Sequence, residues 1–126
     1  MRGPCARVYN VEILAEHLGV FEQAILLSLV RPRTELGRER YGRAILKEVE
    51  HRLERQVSPG AVYATLDRLE DKGLVASRPG EATPQRGGRA KRHFTVTAAG
   101  VRALNATRAA THNIWRGLAF PLKVKP

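Results

Sequence analysis

Residues 58–73, SPGAVYATLDRLEDKG, constrain this chain more than any other stretch. Ser58 is suited to cap a helix, because its hydroxyl can accept a bond from an otherwise unpaired amide of the first turn. Pro59 fits the first helical position, where a missing N–H costs nothing. Gly73 supplies a stop, since glycine readily adopts the left-handed conformation that ends many helices. Between these marks Val62, Leu66 and Leu69 form one apolar stripe, with Ala61 and Thr65 small enough for another helix to come close. Tyr63, Ala64, Asp67 and Arg68 are left pointing elsewhere. After Gly73 the period changes from helical to two. A short strand is predicted over 74–78. KRHFTVT (91–97) alternates so that Phe94 and Val96 face a core while His93 and Thr95 face outward. The intervening PGEATPQRGGRA is rich in turn formers, so the two strands read as a hairpin with a long basic loop.

The rest of the chain frames this unit with helices. A short helix is predicted over 8–18, stopped by Gly19. Phe21 then opens FEQAILLSLV, apolar on nearly all sides, as expected of a helix buried in a small core. Pro32 ends it, and RPRTELGRER reads as an arginine-rich loop. A further helix is predicted over 41–55, with Ile45, Val49 and Leu53 at four-residue intervals, Leu46 widening the stripe, and charged residues opposite. Thr97 caps a last helix over 98–118 whose apolar members are Val101, Leu104, Ala109, Ile114, Trp115 and Leu118. At 126 residues the chain is long enough for one compact domain and not two. The expected fold is mainly α with a small β-hairpin: a winged helix-turn-helix domain over 21–97, preceded by a tail and short helix over 1–20 and followed by a dimerisation helix and tail over 98–126.

Charge points to the partner. Lys and Arg total 22 against 12 Asp and Glu, a formal net charge of +10. So basic a small domain repels itself unless it meets a polyanion, and nucleic acid is the commonest one. The major groove of double-stranded DNA, about 12 Å wide, admits one helix, whose N-terminal amides attract phosphate. The helix starting at Ser58 is the candidate, with Gly60, Ala61, Tyr63, Ala64 and Arg68 facing the groove or its walls. Tyr63 can donate its hydroxyl to a phosphate or pack between helix and wing; Arg68 can face the groove or pair with Glu70 or Asp71. In the wing, Arg86, Arg89, Lys91 and Arg92 cluster around Gly87 and Gly88, a flexible basic loop able to hold phosphates or enter a minor groove. Arg31, Arg33, Arg38, Arg40 and Arg43 form a second, weaker basic group interleaved with Glu35 and Glu39.

Other classes fit poorly. His17, His51, His93 and His112 are dispersed without metal-ligand spacing, no nucleophile–histidine arrangement occurs, and Gly87-Gly88 lacks the lysine and hydroxyl of a phosphate loop. No catalytic residue, metal or cofactor is expected. The N-terminal MRGPCARVYN has no apolar stretch of a secretory signal, and the longest aliphatic run, 24–30, is far too short for a bilayer. With a lone Cys5, a cytoplasmic protein free of membrane attachment is expected. Leu104, Ile114, Trp115 and Leu118 are candidates for a self-complementary interface, since little chain remains to cover them; Trp115 could also pack on the first helix of its own chain.

SPGAVYATLDRLEDKGLV, followed by GEATPQRGGRAKRHFTVTAAG, resembles the PadR family of transcriptional regulators. The resemblance spans 18–118. Its specific part joins Ser-Pro-Gly, Tyr63, Leu66, Leu69 and Gly73-Leu74 to Arg-Gly-Gly-Arg and Thr97-Ala98-Ala99-Gly100. It implies a dimeric, usually repressing regulator of a roughly palindromic operator. It also implies dimerisation through the C-terminal helix, with the recognition helix carrying a tyrosine at Tyr63. The short C-terminal part resembles the single-helix branch of the family. Relatives usually begin the second helix with Gly-Tyr; here the order is Tyr41-Gly42-Arg43, after a longer loop. Some relatives release DNA when a small hydrophobic molecule enters the dimer cleft, which here implies the apolar group around Trp115 and Phe21. The alternatives are a winged-helix protein-interaction module and a nonspecific DNA binder.

Overall fold

The computed structural model describes residues 18–31, 41–82 and 90–125, with only the backbone at 81, 82, 90 and 91. Its elements run α1 (Val20–Val30), α2 (Gly42–Leu53), α3 (Pro59–Asp71), β1 (Val75–Ala82), β2 (Ala90–Val96) and α4 (Ala98–Ile114). Three helices followed by an antiparallel hairpin and a closing helix make a winged-helix arrangement. The helix expected over 8–18 and the loop after Pro32 lie outside the described residues, apart from Leu18 at the end of the former.

Helix α1 is the hub, touching α2, α3, α4 and β2. Its Ile25, Leu26 and Leu29 are buried together with Ile45 and Val49 of α2, Val62, Leu66 and Leu69 of α3, Phe94 of β2 and Ala103 of α4. The sequence suggests burial all round α1, yet Val20, Leu27 and Val30 stand exposed. The reason is geometric. Among the described residues, the packed elements cover the arc of Ala24, Ile25, Leu26, Ser28 and Leu29 and leave the arc of Val20, Leu27 and Val30 exposed.

The turn from α2 to α3 is held by local bonds. Glu54 closes α2 in the left-handed conformation (φ 56°), and Glu50 accepts the Val57 amide at 3.2 Å. The α3 caps form as their chemistry requires: Ser58 accepts the Ala61 amide at 3.1 Å, and Gly73 ends the helix at φ 80°. Thr97 then ties both ends of the hairpin together. Its hydroxyl donates to the Gly73 carbonyl at 2.7 Å and accepts the Gly100 amide at 3.0 Å, capping α4. Gly100 passes so close to the Leu74 carbonyl that a methyl group there would collide with it.

The hairpin pairs Val75 with Val96, Ser77 with Phe94 and Pro79 with Arg92, and its register shifts between Pro79 and Ala82. Strand β1 extends further than the alternation alone suggests, whereas β2 keeps its expected length and starts and ends one residue earlier. Pro79 is tolerated because β1 is the outer strand of the sheet. On the other side of β2, Tyr41 forms a one-residue bridge to His93, and the two rings meet edge to face with centroids 5.3 Å apart. His93 is therefore half-buried beneath Tyr41, a correction to its expected outward position.

Candidate nucleic-acid interface

Packing divides α3 into two sides. Val62, Leu66 and Leu69 are fully buried, and Thr65 nearly so. Gly60, Ala61, Tyr63, Ala64 and Arg68 are all exposed, as is Ser58 at the cap. A side chain at Gly60 would meet nothing within 4 Å, so the helix tip is open to a close approach. Arg68 donates to Thr65 Oγ1 at 3.1 Å; its partner is a hydroxyl of its own helix, and not Glu70 or Asp71.

Tyr63 is half exposed, at 45%, and its phenol lies against the amino end of α2. A methyl group at Gly42 would overlap its phenol. This explains the order Tyr41-Gly42: the first residue bridges to the wing, and the second leaves room for the tyrosine of α3. The phenol oxygen thus sits beside a helix start, where amides without helical partners favour negative charge.

The wing residues separate into those described and those not. Arg86 and Arg89 lie outside the described residues, and of Lys91 only the backbone is described. Arg92 turns toward the protein. Its guanidinium donates to Asp67 Oδ1 at 3.2 Å, to Ser77 Oγ at 2.9 Å and to Glu70 Oε1. It also stands over the Phe94 ring, 5.0 Å from the centroid. Ser77 completes the network by donating to Glu70 Oε2 at 2.7 Å. The sequence places Arg92 among the DNA-facing cations, offers Glu70 only as a partner for Arg68 and gives Ser77 no part in the site. The signal was present: in a period-two strand, Arg92 shares a face with Phe94 and Val96.

The family model described as "Transcriptional regulator PadR-like family" matches residues 34–106, more than half of the chain. The chain belongs to the PadR-like family. No curated protein matches it significantly. Among solved structures, it is similar to the RosR protein of H. salinarum, with 29% identity, a TM-score of 0.58, and coverage of 83% of this chain and 84% of that one. A PadR-like transcription factor from Bacteroides fragilis shares its fold at 20% identity and a TM-score of 0.58, over 88% and 91% of the two chains. So does the Orc1 protein of Aeropyrum pernix, solved in complex with DNA, at 20% identity and a TM-score of 0.61, over 86% of this chain and 30% of that one. PadR-like regulators are non-enzymatic DNA-binding proteins, and this chain is accordingly a DNA-binding transcription regulator.

At the far end of this PadR-like chain, α4 changes character along its length. Gly100, Ala103 and Thr107 are buried, and Leu104 is half-buried against the same core. Beyond them none of the described residues is buried. Ile114 is 75% exposed, Trp115 38%, Leu118 57% and Phe120 81%. The helix ends at Ile114, short of the expected Leu118, and Gly117 turns the chain at φ 84°. Trp115 then meets Phe120 edge to face, with centroids 5.8 Å apart, while Phe21 packs on the core. Among the described residues, no three His, Cys, Asp or Glu side chains gather as metal ligands would, and no helix is long and apolar enough to cross a membrane.

Proposed function

We propose that this PadR-like regulator is a homodimeric repressor that reads a roughly palindromic operator through α3. The observation that carries the reading is the division of α3. One side is sealed by Val62, Leu66 and Leu69, and the other presents Gly60, Ala61, Tyr63, Ala64 and Arg68 to solvent. A helix so divided can lie in a major groove without losing its anchorage. Ser58 and the small residues after it bring the helix tip close to base edges, Arg68 supplies a cation and Tyr63 a hydroxyl for phosphate. Arg86, Arg89 and Lys91, in the basic segment between and at the start of the strands, add further positive charge to the DNA-binding reading.

The dimer reading is supported by Ile114, Trp115 and Leu118, large apolar side chains that stand exposed or partly exposed among the described residues. A two-fold axis through the ends of two α4 helices would cover them and place the α3 helices about 34 Å apart, on successive major grooves. In this reading, a small hydrophobic molecule entering beside Trp115 and Phe120 loosens that interface and releases the DNA. Quenching of the single tryptophan, Trp115, by a compound that displaces DNA is the expected sign. Displacement without quenching would put the effector elsewhere.

Fluorescence anisotropy at near-physiological salt tests sequence specificity. A duplex from upstream of the native gene should bind more tightly than its scrambled counterpart by ~10³ or more. Equal affinities for the two, at every salt concentration, would instead favour a nonspecific basic surface. Failure to bind either at low salt would favour a protein-interaction module.

A further inference from the structure

We propose that Arg92 is a positioning residue that pins the wing to the recognition helix, and is not itself a phosphate contact. The proposal rests on the reading of α3 as the DNA-reading helix and assigns the wing's orientation to one side chain. The pleat of β2 sends Arg92 to the side of Phe94, toward α3, and not to the outer face of the wing. There its planar fork meets Asp67 at 3.2 Å, Glu70, and Ser77 at 2.9 Å, with the Phe94 ring beneath it. These partners come from both elements that must be held together: Asp67 and Glu70 from α3, Ser77 and Phe94 from the hairpin.

Charge supports the same conclusion. The cluster of Arg92, Asp67 and Glu70 carries one positive and two negative charges, so it does not attract phosphate as a unit. To reach DNA, Arg92 would have to abandon both carboxylates and leave them unpaired beside a polyanion. Their repulsion would offset the attraction between Arg92 and a phosphate. Arg92 and Asp67 remain about half exposed, with side-chain exposures of 48% and 60%, so the network contributes little to stability. What it fixes is direction. Arginine suits this task because a rigid fork can hold several acceptors at set angles, which a lysine point charge cannot.

The test compares Arg92→Ala, Arg92→Lys and the double variant Asp67→Asn/Glu70→Gln. The readout is anisotropy on the preferred and scrambled duplexes over a range of salt. Arg92→Ala and Arg92→Lys should both lose affinity for the preferred duplex more than for the scrambled one. The salt slope should stay at the wild-type value in both. In Asp67→Asn/Glu70→Gln the freed Arg92 becomes an extra cation, so the slope should steepen by up to about 0.9, while discrimination between the duplexes falls. If Arg92 touches phosphate, Arg92→Ala should flatten the slope by about 0.9 and Arg92→Lys should bind as wild type does; either result overturns the proposal. Should the wild-type protein bind no duplex at all, the DNA reading fails, and the pin is judged on the free protein. Amide hydrogen exchange at Phe94 and neighbouring β2 positions should then be faster in Arg92→Ala than in wild type. Unchanged exchange would overturn the pin.

Discussion

Helix α3 and the end of α4 carry similar apolar content, but only α3 finds cover for it within one chain. Val62, Leu66 and Leu69 are sealed by α1, α2 and the hairpin, so the outer side of α3 is free to be polar and small. In α4, burial follows Gly100, Ala103 and Thr107 and then stops, and Ile114 at its end, with Trp115 and Leu118 just after it, is exposed, Trp115 meeting Phe120 among the described residues. The contrast teaches a division of labour. A helix whose inner face is complete can offer its outer face to DNA; a helix whose apolar face is incomplete offers, in the dimer proposed above, a surface for a second copy. Stability and association should therefore respond to different residues.

Truncating the inner face of α3 should give the largest effect. Leu66→Ala removes a fully buried side chain, and a loss of about 2–5 kcal/mol of folding stability is expected from denaturant titration. Its association should change only as far as unfolding depletes the native chain. Ile114→Asp combined with Leu118→Asp should do the reverse. Burying unpaired carboxylates in a dimer interface should weaken association by about 3 kcal/mol, roughly a hundredfold in Kd, readable by sedimentation velocity. The melting temperature of the dissociated chain should stay near that of a dilute wild-type sample. If the double aspartate variant remains dimeric, the comparison between the two helices is broken. Ser58→Ala gives the smallest effect. Losing the hydroxyl that accepts the Ala61 amide should cost about 1 kcal/mol, measured again by denaturant titration. No change would mean that α3 is held by its packed face alone.

What could be read from the sequence was whatever depends on near neighbours. Ser58, Pro59 and Gly73 mark α3 because capping is decided within one turn, and the alternation around Phe94 locates β2 because pleating is local. Contacts between distant residues were less legible. Nothing near His93 announces that Tyr41 will bridge to it, and nothing near Gly42 announces the phenol of Tyr63. Arg92 is the instructive case. Its charge grouped it with Arg86, Arg89 and Lys91, whereas its place in the strand put it with Phe94. Strand geometry prevailed, because two carboxylates of α3 were within reach on that side. The helix after Thr97 is shorter than its apolar pattern implies: Ile114, Trp115 and Leu118 continue that pattern, while Gly117 turns the backbone away.

The central claim is that two copies of α3, joined through the ends of α4, read one stretch of DNA. Protection of guanine N7 from methylation by dimethyl sulfate tests this directly, because that atom lies in the major groove. The account predicts two groups of protected guanines in the upstream duplex, related by two-fold symmetry. Their centres should lie one helical turn of about 10 base pairs, or a whole multiple of it, apart. A single protected group, or protection spread evenly along the duplex, would contradict it.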